Sequence, residues 1–459
     1  MTGPDSPLSW EGMEVQYVGD RLRELAAETG VPGAQLAVYT EGETLSLATG
    51  VQRIGAGDAV DTGTAFPYGS VSKAFTATVV MQLVSDGDVE LDDTVAAFLP
   101  EFTSPADADM AAVTVRQLLS HTGGLLADHE LDDVDERSLR RYAAAVAAAG
   151  LLHRPGEVFS YSNTGYNLLG RVIEAVTDMS WQSAVESFLL RPLGIDPYFL
   201  HGPAASRAVA TGHAVRLERG GARPVDVFLP PTWAPASGLG GSAEDLVALA
   251  RLHFGDAPSA ADLLDEDVRA EMHTPVPAAD AFGMADGWAL GLARYGGADG
   301  GWLGHDGTVD GGTAHLRFHP GRRVAVALTA NATTGTLLWP RIVEELRKAG
   351  IDVADHQHPV PDARSGQQAD LERLLGDYLN GDTRFTVARH EGGLRLTDRT
   401  GLVAAMTLHG PDGLLFTARR TDADEAPYTG RFVLDGGTGE AALMQLAGRS
   451  ARRERSAAR

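Results

Sequence analysis

The sequence predicts an α+β unit followed by a small all-β unit, and three observations predict it. Short β-favouring runs at 33–50 and 312–330 enclose a mostly helical middle, so one antiparallel sheet joins early and late segments. A polar stretch with two prolines at 355–368 reads as a linker. Beyond it, six short β-type runs recur at the regular spacing of an antiparallel barrel or sandwich. A chain of 459 residues also exceeds what one ordinary core encloses. The units are therefore placed at 1–354 and 369–459, with a basic, frayed tail, ARRERSAAR.

Residues 33–40 and 44–50 form a hairpin turning at Glu41-Gly42-Glu43. A helix runs from Ser70 to about Ser85, with Gly87 just past its end. Its apolar residues (Val71, Ala74, Phe75, Val79, Val80, Leu83) fall on nearly every side, the mark of a helix buried within a domain. Residues 140–150 and 164–177 are also helical in pattern. Ser242 with Asp245 three positions on is a capping box opening a helix through Leu252. Strands follow at 312–318 and 323–330 around the turn His319-Pro320-Gly321-Arg322, and a closing helix spans 336–349. The β-type runs of the second unit are 383–388, 393–397, 402–408, 413–419, 429–434 and 440–446.

Composition excludes several classes of function. Asp and Glu number 62 against 38 Lys and Arg, a net charge of -24. A surface that acidic repels nucleic acid and anionic lipid, so neither is an expected partner. The absence of cysteine removes disulfides, thiol nucleophiles and thiolate metal sites together. The first residues show neither a basic start nor an apolar run, and no stretch of about 18 apolar residues occurs. The expected location is cytoplasmic. No Gly-x-Ser-x-Gly elbow, Walker loop or His-Glu-x-x-His helix is present.

Lysine usage carries the most information. Lys73 and Lys348 are the only lysines among 38 basic residues. Arginine keeps its proton at any workable pH, whereas a buried lysine can release one, so a lysine retained in such a chain invites attention. Lys348 ends an exposed-looking helix, where a basic residue suits the dipole. Lys73 lies on the nearly all-apolar helix, where a charge is costly unless paired or neutralised. Ser70 stands three residues earlier, on the same face and at the helix start, where free N–H groups favour developing negative charge. Ser70 is thus the candidate nucleophile and Lys73 its proton partner.

Two further patterns bear on the same chemistry. Tyr161-Ser162-Asn163 lies in a loop entering a helix, with phenol and carboxamide two residues apart and so pointing the same way. The phenol suits proton relay and the amide suits holding a peptide carbonyl; taken alone, the triplet also reads as a packed tyrosine with Asn163 as a helix cap. His305-Asp306-Gly307-Thr308 precedes the 312–318 strand. Gly307 lets a substrate backbone lie close to the strand edge, and the Thr308 N–H can join that of Ser70 as an oxyanion hole. Alone, this too reads as a glycine-rich turn. A His-x-Asp metal site finds no second ligand pair nearby, so no metal is expected.

In this order and spacing, Ser70-x-x-Lys73, Tyr161-Ser162-Asn163 and His305-Asp306-Gly307 resemble the serine β-lactamase and penicillin-binding-protein superfamily, specifically its class-C-like branch. FPYGSVSKAFTA, VTVRQLLSHTGGL (113–125) and PASGLGGSAEDL (235–246) are similar to the same branch, and the likeness spans roughly residues 20–350. The resemblance implies a β-lactamase/transpeptidase-like first domain and a lipocalin-like barrel after it. It implies Ser70 as nucleophile, Lys73 and Tyr161 in proton transfer, and Asn163 and His305 as polar supports. The two-domain layout is similar to the penicillin-binding-protein-type thioesterases, which release nonribosomal peptides by head-to-tail ring closure. That likeness implies no cofactor of the enzyme's own and a peptidyl substrate delivered as a phosphopantetheine thioester on a carrier protein. A D-amino-acid peptidase or carboxylesterase with the same nucleophile is the alternative. Leu239, in the glycine loop 238–241, is a candidate border of the acyl pocket; Arg449, at the end of the strand-rich region, is a candidate substrate contact or a plain surface arginine.

Overall fold

The computed structural model describes residues 12–217, 221–257, 260–296, 300–356, 371–398, 401–410, 412–421 and 427–454. Most of the expected linker, from residue 357 to 368, lies outside the described residues, as does the end of the basic tail.

A seven-stranded sheet organises the first part of the chain. In spatial order its strands are Glu43–Gly50, Gly33–Thr40, Val324–Ala330, Gly312–His319, Trp302–Val309, Ala293–Tyr295 and Gly287–Trp288. Every neighbouring pair is antiparallel, so the early hairpin and the late strands join as the sequence predicts. The alternation of a strand sends its residues to two separate cores. Leu36 and Val38 pack with Val326, Leu328 and the helices Gly12–Glu28 and Gly335–Lys348. Ala37 and Tyr39 pack with Leu316, Phe318 and the helix Ala243–Phe254 on the opposite face.

The central helix is Ser72–Ser85, and all but its last two residues are buried. It starts two residues later than expected, because Gly69–Val71 forms a tighter 3₁₀ turn first. Ser162, rather than Asn163, caps the helix Asn163–Thr177: its Oγ accepts the Gly165 N–H. The capping box at Ser242 and Asp245 is present with both reciprocal bonds. Two small sheets were not anticipated. One is a three-stranded sheet of Phe66–Pro67, Leu239–Gly241 and Tyr198–Phe199; the other is a hairpin of Gly212–Arg216 and Gly221–Val225.

The C-terminal part is a closed eight-stranded antiparallel barrel. Six strands match the predicted runs; Gly376–Asn380 and Arg449–Arg453 are additional. These two close the barrel by pairing Tyr378 with Arg453 and Leu379 with Arg452. The start of the expected frayed tail is therefore a strand, held by Ala441–Leu446 on one side and by Gly376–Asn380 on the other. Leu396, Phe416, Phe432 and Met444 fill the interior. Among the described residues no helix is long and apolar enough to cross a membrane.

The barrel meets the first part along the Tyr161 loop. The Tyr161 N–H donates to the Gly448 carbonyl at 2.9 Å and the Ser450 N–H to Ser160 Oγ at 3.2 Å. The Ala127 N–H donates to Asn380 Oδ1 at 2.8 Å. An Arg431–Asp280 ion pair at 2.7 Å adds to the contact.

Candidate active site

Ser70 sits in the 3₁₀ turn at the mouth of the central helix, and Lys73 is wholly buried one turn on. The Lys73 Nζ lies 3.1 Å from Ser70 Oγ and donates to the Ala236 carbonyl at 2.9 Å. Burial first, and then the positive charge of Arg449, hold the lysine pKa well below its ordinary value, while Asp128 opposes them. A neutral amine that spends an N–H on Ala236 keeps its lone pair for the Ser70 proton. The ring of Tyr161, 4.8 Å from Nζ, walls off water.

Tyr161 is buried, and burial drives its pKa above the usual range, against the pull of the Ser70 hydroxyl and Arg449. It is therefore a phenol and not a phenolate at neutral pH. Its oxygen is buried and meets no partner but the neighbouring Ser70 hydroxyl, which leaves it available as a relay. Asn163 Nδ2 donates to Asp128 Oδ1 at 2.6 Å. An ionised carboxylate only accepts, so this contact fixes the orientation of the carboxamide. His305 is buried beside Trp288, ring centroids 5.3 Å apart, and 6.1 Å from the Tyr161 ring. Burial above all pushes its pKa down to about 3, so it is a neutral support.

Two backbones touch beside Ser70. Gly69 has φ +54°, and a Cβ there would fall 2.4 Å from the Thr308 carbonyl oxygen. A Cβ on Gly307 would fall 2.0 Å from the Tyr68 carbonyl oxygen and 3.0 Å from the Ser70 nitrogen. Only glycine at both places lets the Ser70 and Thr308 amides approach one another. The strand is held from its other side. Asp306, which lies between His305 and Gly307, accepts from both terminal guanidinium nitrogens of buried Arg317 at 2.9 Å and bonds His315 Nδ1 at 2.7 Å.

A cleft of about 880 Å³ opens above Ser70. Ser70, Asn163, Ser237 and Thr308 line its floor, and Tyr428 and Arg449 of the barrel form one wall. Arg449 pairs with Asp128 at 3.4 Å and stands 5.9 Å from the Tyr161 ring, so it belongs to the site and not to a free surface. Leu239 departs from expectation. It is buried in the main core and does not line the cleft, because its backbone bonds to the Tyr68 N–H and Ser72 Oγ turn it inward. Among the described residues no cluster of three metal-ligating side chains occurs.

A family model described as Beta-lactamase matches residues 18–346. The chain belongs to the β-lactamase family. Within this family it is 37% identical over 369 residues to Penicillin-binding protein 4 of Amycolatopsis lactamdurans, covering 78% of this chain and 96% of that one. The crystal structure of SurE superposes with a TM-score of 0.84 at 46% identity, covering 96% of this chain and 99% of that one. SurE with D-Leu superposes at 0.82 and 45%, covering 97% and all of the other chain. The β-lactamase-family likeness to SurE thus includes the barrel, which the family model does not.

Sequence reasoning missed Asp128, His121 and the Ala236 carbonyl. His121 and Asp128 sit 40 and 33 residues ahead of Tyr161 in the chain, and only folding joins them. A signal existed for His121: it falls within the family-like stretch 113–125.

Proposed function

We propose that this enzyme is a peptide cyclase. It takes a linear peptide from a carrier-bound phosphopantetheine thioester onto Ser70 and releases it by head-to-tail amide formation. Lys73 receives the Ser70 proton as the oxygen attacks the thioester carbonyl. The Ser70 and Thr308 amides hold the oxyanion, and the proton passes by way of Tyr161 to the departing thiol. In the second half, the peptide's own α-amine attacks the Ser70 ester and loses its proton along the same path. The substrate's meeting place with the enzyme is the cytoplasm, where such thioesters are made.

The observation that carries this reading is the barrel-walled cleft beside a dry serine–lysine pair. Its volume falls at the large end of the 300–1,000 Å³ typical of ligand pockets. A peptide folded back on itself there presents its amine at an effective molarity of ~10⁵–10⁸ M, which outcompetes water. The amine is mostly protonated at neutral pH, with pKa about 7.7–8.0, a cost of only about tenfold. The likeness to SurE over nearly the whole chain, one structure of which holds D-Leu, supports a D-residue at the peptide's C-terminus. A second reading, hydrolysis of the same acyl-enzyme by a D-amino-acid peptidase or carboxylesterase, draws on the exposed position of Thr308, which admits water to the acyl carbonyl.

Purified protein given linear peptidyl thioesters ending in D-residues should yield products lighter than the free acid by one water. Linear acid alone, across several such peptides, would select hydrolysis.

A further inference from the structure

The loop carrying Tyr161 is held by three consecutive N–H groups. The Ser160 N–H donates to the His121 carbonyl at 2.9 Å, and the Ser162 N–H donates to His121 Nδ1 at 3.1 Å. Between them, the Tyr161 N–H goes to Gly448 of the barrel. One residue, His121, therefore brackets the phenol-bearing residue from both sides, using its backbone for one neighbour and its ring for the other.

The His121 ring is 4.4 Å from the Tyr161 ring and packs edge-on to Trp288 at 5.1 Å. It is buried, and burial above all, with the positive charge of Arg449 adding to it, holds its pKa well below the usual histidine value. A neutral ring has one acceptor nitrogen, and here that nitrogen faces the Ser162 N–H. The backbone at His121 is itself unusual: φ is +58°, in the left-handed region that residues with a side chain seldom adopt. That conformation is what turns both the carbonyl and the ring toward one loop.

We infer that His121 is a positioning residue for the proposed reaction, setting the place of the Tyr161 phenol through the Ser160 and Ser162 amides. This rests on Tyr161 acting in proton transfer, as proposed above. Loss of the acceptor lets the loop shift, and a displacement of about 1 Å costs on the order of 10²-fold in rate.

Asparagine places an amide oxygen close to where Nδ1 sits and tolerates positive φ. The test compares His121→Asn, His121→Gln and His121→Leu with wild type and Tyr161→Phe. Thiol release from a thioester is the readout, because it counts acylation whether ring or acid is made. His121→Asn should keep kcat within about threefold of wild type. His121→Leu should lose about 10²-fold in kcat with KM nearly unchanged. His121→Gln, whose amide lies one carbon farther out, should lose kcat like leucine while melting near the Asn variant. A purely structural role predicts the reverse order, since a polar amide disrupts an aromatic nest more than leucine does. Near-wild-type kcat in the leucine or glutamine variant, or an Asn variant as slow as leucine, would overturn the assignment. Full activity of Tyr161→Phe would overturn both this and the reading of Tyr161, whereas impaired Tyr161→Phe beside active His121→Leu would overturn this alone.

Discussion

Lys73 acts as a base only while unprotonated, so activity must fall as pH drops through its pKa. Burial and Arg449 both lower that pKa, while Asp128 raises it. Arg449→Gln removes a lowering charge and also frees Asp128 from its ion pair, so both changes work in one direction. The acid limb of the kcat/KM profile is expected to move to higher pH in this variant. The displacement should shrink at high salt, because Arg449 is 42% exposed and its field is screened. An unmoved limb, or one moved toward acid, would mean that the barrel arginine does not act on the lysine. At this scale the sequence was informative where rarity spoke. A lone lysine on an apolar helix is visible because an unpaired ammonium there is costly. Asp128 was not visible, because a surface-type carboxylate in a loop gives no sign that Asn163 and a barrel arginine will both find it.

In the proposed mechanism the strand Trp302–Val309 and the 3₁₀ turn Gly69–Val71 together make the oxyanion position, and neither makes it alone. Gly307→Ala puts a methyl group against the Tyr68 carbonyl and forces the two backbones apart. The expected result is a kcat loss of about 10²–10³-fold, the cost of one oxyanion donor at about 2.7–4 kcal/mol, measured as thiol release in a variant that still folds. Unchanged kcat would place the oxyanion elsewhere. Periodicity and capping chemistry made most elements legible, including the central helix and the Ser242 capping box. The 3₁₀ turn at Ser70 was not, since it depends on Gly69 meeting a strand more than 200 residues away. Leu239 failed for the opposite reason: a glycine-flanked position looked open, yet two long-range backbone bonds bury it.

On the scale of the molecule, the barrel is part of the site. It supplies the acceptor for the Tyr161 N–H and the cation facing Asp128. Six barrel strands were legible from their spacing, but the two that close it were not. GDYLN is short and RSARR is charged; each pairs with its hairpin neighbour on one side, and the two meet each other across the seam. That closing seam ends in the hairpin that carries Gly448 and Arg449, so what the pattern hid is also what reaches the catalytic groups. The central claim, that Ser70 takes the acyl group with Lys73 as its base, is tested most directly by intact-protein mass spectrometry. After brief exposure to a peptidyl thioester, the protein should gain the mass of one peptidyl group, mapped to Ser70 and missing from Ser70→Ala. Turnover without such an adduct, or undiminished turnover in Ser70→Ala, would contradict the account.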